Sequence, residues 1–386
     1  MVQGFFWFAL ALVAYAYLGY PLLLWPLARL FGRLNRTGDA LPTVSLLIAA
    51  HNEDSIIAEK LENSLKLDYP GDRLEIVVVA DGCTDRTCEI VRAFADRGVR
   101  LIEQVPRQGK ASALNLGMRH VRGEIVLCTD ANAMYRPDVP RLLVRHFADP
   151  HVGMASGVKC VRGHDGAGQG EGLYWRYEGF MKRHDSLLSS AMGATGEIFA
   201  MRHALWKPVA SDSIIEDFVI SMGLIRDGYR VVYDPAAISD ELASPSIGEE
   251  FKRKVRIVAG AWQAIVRMWP LLLPTSGWIW FQYVSHRVLR WIVVPWLLPL
   301  LLAANLALRD TSALYSAFFD AQIVFYALAA CGYWLQQRGV RWKLLYVPFY
   351  FAFLNYAALV GACRYFRHAQ PVTWEMAQRR ASKLSE

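Results

Sequence analysis

The chain has 386 residues, of which 54% are hydrophobic, and its 42 lysines and arginines outnumber 35 acidic residues to leave a formal charge of +7. Apolar residues gathered in blocks argue against an ordinary soluble protein. The basic residues are scattered at the edges of those blocks with no nucleic-acid-binding motif, which argues against a nucleic-acid partner and suits anionic lipid and phosphate. The cysteines, at positions 83, 88, 128, 160, 331 and 363, show no CxxC or Cys/His metal spacing, so reduced thiols are expected rather than a zinc site or disulfides.

The first 28 residues carry no charged side chain, about the length that spans hydrocarbon. A cleaved signal peptide would open on a basic region and have a shorter apolar run, so an uncleaved transmembrane anchor over residues 1–30 is expected. Arg29, Arg33 and Arg36 follow directly, and the positive-inside tendency puts the next segment in the cytoplasm.

From residue 43 short apolar runs alternate with helical spacing, the signature of an α/β fold with a doubly wound, mostly parallel sheet, here over residues 40–250. Residues 44–50 read as a strand ending at His51, Asn52 and Glu53, and residues 56–65 as a helix. Residues 75–80 read as a strand that ends at Asp81 and turns into a helix reaching about Arg97. A short strand at 100–103 and a helix at 109–120 follow, and the apolar run 125–128 delivers Asp130 and Asn132. Right-handed crossovers bring such strand ends to one edge of the sheet, where ligands bind. Asp81 is placed there to accept hydrogen bonds from a base or ribose, and Lys110 opens a helix whose dipole favours a phosphate. Asp130 and Asn132 offer a carboxylate and an amide oxygen to a hard divalent cation that keeps part of its shell for phosphate. A surface turn also favours Asp and Asn, so this pair decides nothing alone. Neither GxGxxG after the first strand nor GxxxxGK[ST] is present, against a dehydrogenase or a P-loop NTPase.

Residues 163–172 are glycine-rich and read as a loop over an acceptor or as a plain linker. Glu216 and Asp217 open a helical pattern, where they either favour the helix dipole or supply a general base. Between 251 and 269, Phe251, Val255, Val258, Trp262, Ile265 and Trp269 recur at helical spacing with Lys252, Arg253, Lys254 and Arg256 among them. This basic amphipathic pattern suits an interfacial segment on membrane lipids over 251–285, or a helix packed on the soluble domain. Spans are expected at 291–308, 313–335 and 344–363 within a transmembrane region at 286–368, followed by a polar tail at 369–386. Asp320 should face a helix neighbour or lie near an interface. Counting 268–285 as a further span would change the parity, and the loop charges fit neither count.

Taken in order, these clusters resemble the membrane-embedded family 2 glycosyltransferases, the group that includes cellulose, hyaluronan and poly-N-acetylglucosamine synthases. The resemblance covers about residues 43–260. It implies a GT-A fold, a UDP-sugar donor, Mg²⁺ or Mn²⁺, inversion at the anomeric carbon, and an inner-membrane protein with a cytoplasmic catalytic domain. By position it implies that His51 and Glu53 contact the uracil, Asp81 binds the nucleoside, and Lys110 lies near the diphosphate. It further implies that Asp130 and Asn132 hold the metal, with Asn where the family's second aspartate stands, and that Asp217 is the general base. The Gln-x-x-Arg-Trp of the polymerising members aligns with residues 253–257, which keep Arg256, expected to face the diphosphate, but replace the glutamine and the tryptophan. The expectation is transfer of one or a few sugars to a lipid-linked or glycan acceptor. A processive synthase that secretes its polymer is the second reading, and a catalytically silent nucleotide-sugar binder in a secretion complex, motivated by Asn132 alone, is the third.

Overall fold

The computed structural model describes residues 1–162, 168–242, 246–340 and 342–371. The polar tail from 372 and residues 163–167 of the glycine-rich run lie outside the described residues, whereas 168–172 open the helix Gly168–Leu188. Two compact units emerge, Leu27–Pro245 and Met1–Pro26 with Ser246–Gln370.

The first unit is built on an eight-stranded sheet of order β3-β2-β1-β4-β7-β6-β8-β5. Its strands are β1 (Val44–Ala50), β2 (Leu74–Asp81), β3 (Val99–Gln104), β4 (Ile125–Asp130), β5 (Met134–Tyr135), β6 (Val152–Arg162), β7 (Phe199–Arg202) and β8 (Arg230–Leu242). β1, β2 and β4 are apolar runs buried on both faces, the composition that parallel strands covered by helices require. β1 pairs in parallel with both β2 and β4, and β2 with β3. Ala50, Asp81 and Asp130 therefore leave the sheet at one edge.

The other half is mixed. β7 runs antiparallel between β4 and β6, while β6 lies parallel to β8 with two register shifts. At the shift beside Ser156, a Cβ on Gly157 would collide with the Ala237 carbonyl oxygen, so the irregularity depends on a glycine. Two of the three strands missing from the sequence reading beyond residue 150 carry charges inside them: Lys159 in β6, and Asp234, Asp240 and Glu241 in β8. Those charges break the apolar pattern and are accommodated only by pairing with residues distant in the chain.

The second unit is helical. Val2–Phe31, Trp278–Thr311, Ala313–Gln337 and Leu344–Phe366 are long and apolar enough to cross a membrane. Phe6, Ala9, Leu297, Leu301, Ala304, Leu308 and Tyr315 form one of its buried clusters. The helix Ile247–Arg267 packs its apolar face on the last of these helices: Phe251 stacks on Tyr356 at 5.6 Å, and a Cβ on Gly361 would lie 2.7 Å from the Val255 carbonyl oxygen. Residues 268–285 do not form a span of their own, because 269–276 are short 3-10 turns and 278–285 begin the helix Trp278–Thr311. Asp320 is exposed about two turns into its helix.

Candidate active site

The site is assembled at the carboxyl edge of β1, β2 and β4. β1 leaves the sheet at His51, whose Nδ1 lies 2.6 Å from the Asp81 carbonyl oxygen. Asn52 has φ +52°, a left-handed conformation that asparagine tolerates, and it turns the loop toward the one after β2. Its Oδ1 accepts from the Thr84 amide at 2.7 Å, and the Glu53 amide donates to Thr87 Oγ1 at 2.8 Å. The two loops are thus laced together, bringing His51, Glu53 and Asp81 to the same part of the edge.

Asp81 is 4% exposed, and its carboxylate is engaged within the protein. Oδ1 accepts from Gln104 Nε2 and the Gln108 amide, and Oδ2 from the Gly109 amide, each at 2.7 Å. Gly109 has φ +94°, the left-handed region in which glycine is at ease. Asp81, expected from the sequence to accept from a base or ribose, also anchors the loop that launches the next helix.

That helix, α2 (Lys110–Met118, following α1 at Ile57–Leu65), begins with the residue at the centre of the site. Lys110 Nζ lies 2.6 Å from Asp130 Oδ1 and 2.9 Å from Glu216 Oε1. Burial alone would lower its pKa, but the neighbouring Asp130 and Glu216 outweigh that and raise it well above the usual lysine range. Glu216 and Asp217 open α3 (Glu216–Arg226). Burial, reinforced by repulsion from Glu216 and moderated by Lys110, pushes the Asp217 carboxyl up to about 6. Gly196 makes room for it, since a Cβ there would stand 2.8 Å from Asp217 Oδ2.

Asp130 and Asn132 flank the turn after β4. Lys60, fully buried on α1, donates to Thr129 Oγ1 at 3.0 Å and to the Ala133 carbonyl, so one side chain grips both ends of that turn. Burial lowers its pKa to about 7 despite the attraction of Asp130. Asn132 Nδ2 donates to Glu241 Oε1 at 2.6 Å. Lys159, whose side chain is 2% exposed, bridges Glu241 and Glu197. Arg256 lies half-buried on α4 (Ile247–Arg267), in the helical unit.

These residues fit a divalent cation of one kind. Asp130 and Asn132 bring one carboxylate and one amide, all-oxygen chemistry suited to a hard ion. Asp130, Glu216 and Asp217 lie around the Lys110 ammonium, so the local field favours further positive charge. Among the described residues no group of three or more His, Cys, Asp and Glu forms an enclosing metal cage, so an ion here would complete its shell with phosphate oxygens and water.

The sequence brought His51, Glu53, Asp81, Lys110, Asp130, Asn132 and Asp217 forward, and all lie along this edge or in contact with it. It passed over Lys60, Lys159, Glu197 and Glu241. The signal was present: Lys60 falls on the buried stripe of α1 with Ile57, Leu61 and Ser64, and Lys159 is a lone charge in an otherwise uncharged run, residues 152–161.

Residues 45–207 match the model of "Glycosyl transferase family 2". The poly-β-1,6-N-acetyl-D-glucosamine synthase of Staphylococcus epidermidis (strain RP62A) is 27% identical over 274 residues, 68% of this chain and 66% of that protein. The synthase of the same name from Staphylococcus aureus (strain COL) is 28% identical over 59% of this chain and 57% of its own. The match thus spans about two thirds or less of these relatives' length. Among solved structures, the mannosyltransferase PcManGT from Pyrobaculum calidifontis in complex with GDP-Man and Mn²⁺ superposes with a TM-score of 0.73 at 26% identity, covering 95% of this chain and 99% of that one. The GT-A sheet, its acidic edge and the family match converge on one assignment: the chain carries a glycosyl transferase family 2 domain, flanked by apolar helices at both ends.

Proposed function

We propose that this protein is an inverting membrane glycosyltransferase that moves a sugar from a nucleotide-sugar donor, UDP-linked, to a lipid-linked or glycan acceptor. The observation that carries the reading is the placement of Lys110 between Asp130 and Glu216 beside an Asp217 carboxyl raised to about 6. Departure of a nucleoside diphosphate builds negative charge, and an acceptor hydroxyl must lose a proton on the opposite face of the sugar. A divalent cation held by Asp130 and Asn132 would supply Lewis-acid stabilisation of the departing diphosphate. Lys110 supplies a permanent positive charge next to it. Asp217 is ionised above about pH 6, and its raised affinity for protons makes it a stronger base than an ordinary aspartate. His51 and Glu53 are proposed to meet the base of the nucleotide and Asp81 its nucleoside, while Asp81 also holds the loop behind Lys110 in place. Arg256 is proposed to meet the diphosphate.

The name of the structural neighbour, a mannosyltransferase in complex with GDP-Man that is matched over nearly its whole length, supports sugar transfer and leaves GDP as the competing nucleotide. The names of the staphylococcal relatives support a second reading, processive synthesis of a polysaccharide. The replaced glutamine and tryptophan around Arg256 favour the first.

Nucleotide release by the lipid-reconstituted protein across a panel of UDP- and GDP-sugars, with Mg²⁺ or Mn²⁺ and with or without membrane lipid extract, tests the proposal. Release from one donor that rises with the extract, needs the metal and is lost in Asp217→Asn is expected. No release from any donor would overturn it, and a product ladder in place of a single addition would move the assignment to the processive synthase.

A further inference from the structure

The asparagine at position 132 stands where the resembling family has an aspartate, and the structure supplies a reason. Asn132 Nδ2 donates to Glu241 Oε1 at 2.6 Å, and a carboxylate can only accept. The amide is therefore oriented with its nitrogen toward Glu241 and its Oδ1 directed away from it. Glu241, at the end of β8, is itself held by Lys159 Nζ, which also lies 2.6 Å from Glu197 Oε1. Glu241 is 14% exposed and Lys159 2%, so the charges meet with little screening by water.

We propose that Glu241 is a positioning residue that orients the Asn132 amide so that its oxygen serves the cation held with Asp130, and that this partnership is why asparagine replaces aspartate here. The inference rests on the metal site of the proposed function. A metal ligand works only if its own orientation is fixed by a neighbour, and loss of such a neighbour typically weakens metal binding by about 10- to 100-fold. Asn132→Asp would set two carboxylates within hydrogen-bond distance, where both cannot ionise and one must take up a proton or turn away. Glu241→Gln would force the new amide to choose. Its oxygen is claimed by Lys159, so its nitrogen faces position 132, and Asn132 would invert and present nitrogen to the metal.

The two substitutions made together restore the logic. The amide oxygen introduced by Glu241→Gln would still accept from Lys159, while its nitrogen would donate to the carboxylate introduced by Asn132→Asp and leave the second oxygen of that group for the cation. The chemistry thus predicts compensation, which a purely structural role for Glu241 does not.

The test is Mn²⁺ binding to the full chain in lipid nanodiscs, read from loss of the free-ion paramagnetic resonance signal, with UDP and, in a parallel arm, GDP. Asn132→Asp and Glu241→Gln are each expected to weaken nucleotide-dependent Mn²⁺ binding about tenfold or more. The double variant is expected to return to within about threefold of the parent, a recovery that a misfolded protein could not show. Single variants that bind like the parent, or a double variant as weak as the two losses multiplied, would overturn the inference. An Asp130→Asn arm separates the two levels of argument. Binding lost in Asp130→Asn but indifferent to positions 132 and 241 would overturn the Glu241 role alone, whereas no nucleotide-dependent Mn²⁺ binding in the parent would overturn the metal site with it.

Discussion

Glu216 Oε1 sits 2.9 Å from Lys110 Nζ, so the helix that carries the candidate base is tied by an ion pair to the helix that faces the candidate diphosphate. The same ammonium holds Asp130, so Lys110 pairs directly with two carboxylates of the site and acts on Asp217 through its charge. Removing one partner of such a buried cluster leaves like charges facing each other, and that cost falls on the groups that carry the chemistry.

Lys110→Met tests this dependence. Loss of a charge aimed at a departing diphosphate is expected to cut turnover about 100-fold or more. The variant should also change the pH profile, because Lys110 holds the Asp217 pKa down. Without it Asp217 keeps its proton to higher pH, so the acid limb of kcat/KM should move upward. A rate loss with an unmoved acid limb would separate Lys110 from Asp217.

The Asp217 carboxyl at about 6, against an ordinary 3.8, gives separate predictions for activity and for stability. Transfer should fall as pH drops through about 6, following one protonation, if Asp217 is the base. The stability effect runs the other way. A carboxyl whose pKa is raised by folding favours the protonated native state, so its contribution is complete below the unfolded value and is lost as pH rises through about 6. Asp217→Asn should therefore be more stable than the parent at pH 8, by up to about 3 kcal/mol, with the difference vanishing below about pH 4. Thermal unfolding in detergent at the two pH values measures it.

Lys60→Met probes the turn rather than the chemistry. The Ala133 carbonyl and Thr129 hydroxyl both lose the donor that spans the turn, at a cost of about 1–3 kcal/mol. Because Asp130 and Asn132 lie between those anchors, the metal concentration needed for half-maximal activity should rise about tenfold. Lys60→Arg, too large for a fully buried site, should not rescue it. A fall in stability with unchanged metal requirement would show that the grip on the turn does not reach the ligands.

How far the sequence could be read follows from where the charges lie. β1, β2 and β4 each hold an unbroken apolar stretch, residues 46–50, 76–80 and 125–128, with a polar residue close behind it, so both the strands and their functional ends were visible. β6 and β8 were not, since charges such as Lys159 and Glu241 interrupt their apolar pattern and meet only when the fold sets them on adjacent strands. Asp81 shows the limit within the site. Its position at a strand end was legible, but its engagement with the Gln108 and Gly109 amides depends on a loop conformation that no short motif encodes.

Gly196→Ala bears most directly on the base, because it adds one carbon and no charge. The Cβ would stand 2.8 Å from Asp217 Oδ2 and 3.0 Å from its Cγ, closer than carbon and oxygen tolerate, so the carboxylate or the turn that carries residue 196 must move. The turn has little freedom: the Thr195 amide donates to Ser156 Oγ at 2.8 Å, and Thr195 Oγ1 accepts from Lys182 Nζ at 2.9 Å. Asp217 is therefore the group that yields. Since a displacement of about 1 Å at a reacting group can cost about 100-fold in rate, turnover should fall by that order while the affinity for the nucleotide diphosphate stays within about twofold. The split matters more than the loss. If nucleotide affinity falls with turnover, the added carbon has disturbed the strand edge, and if neither changes, Asp217 is not the proton acceptor.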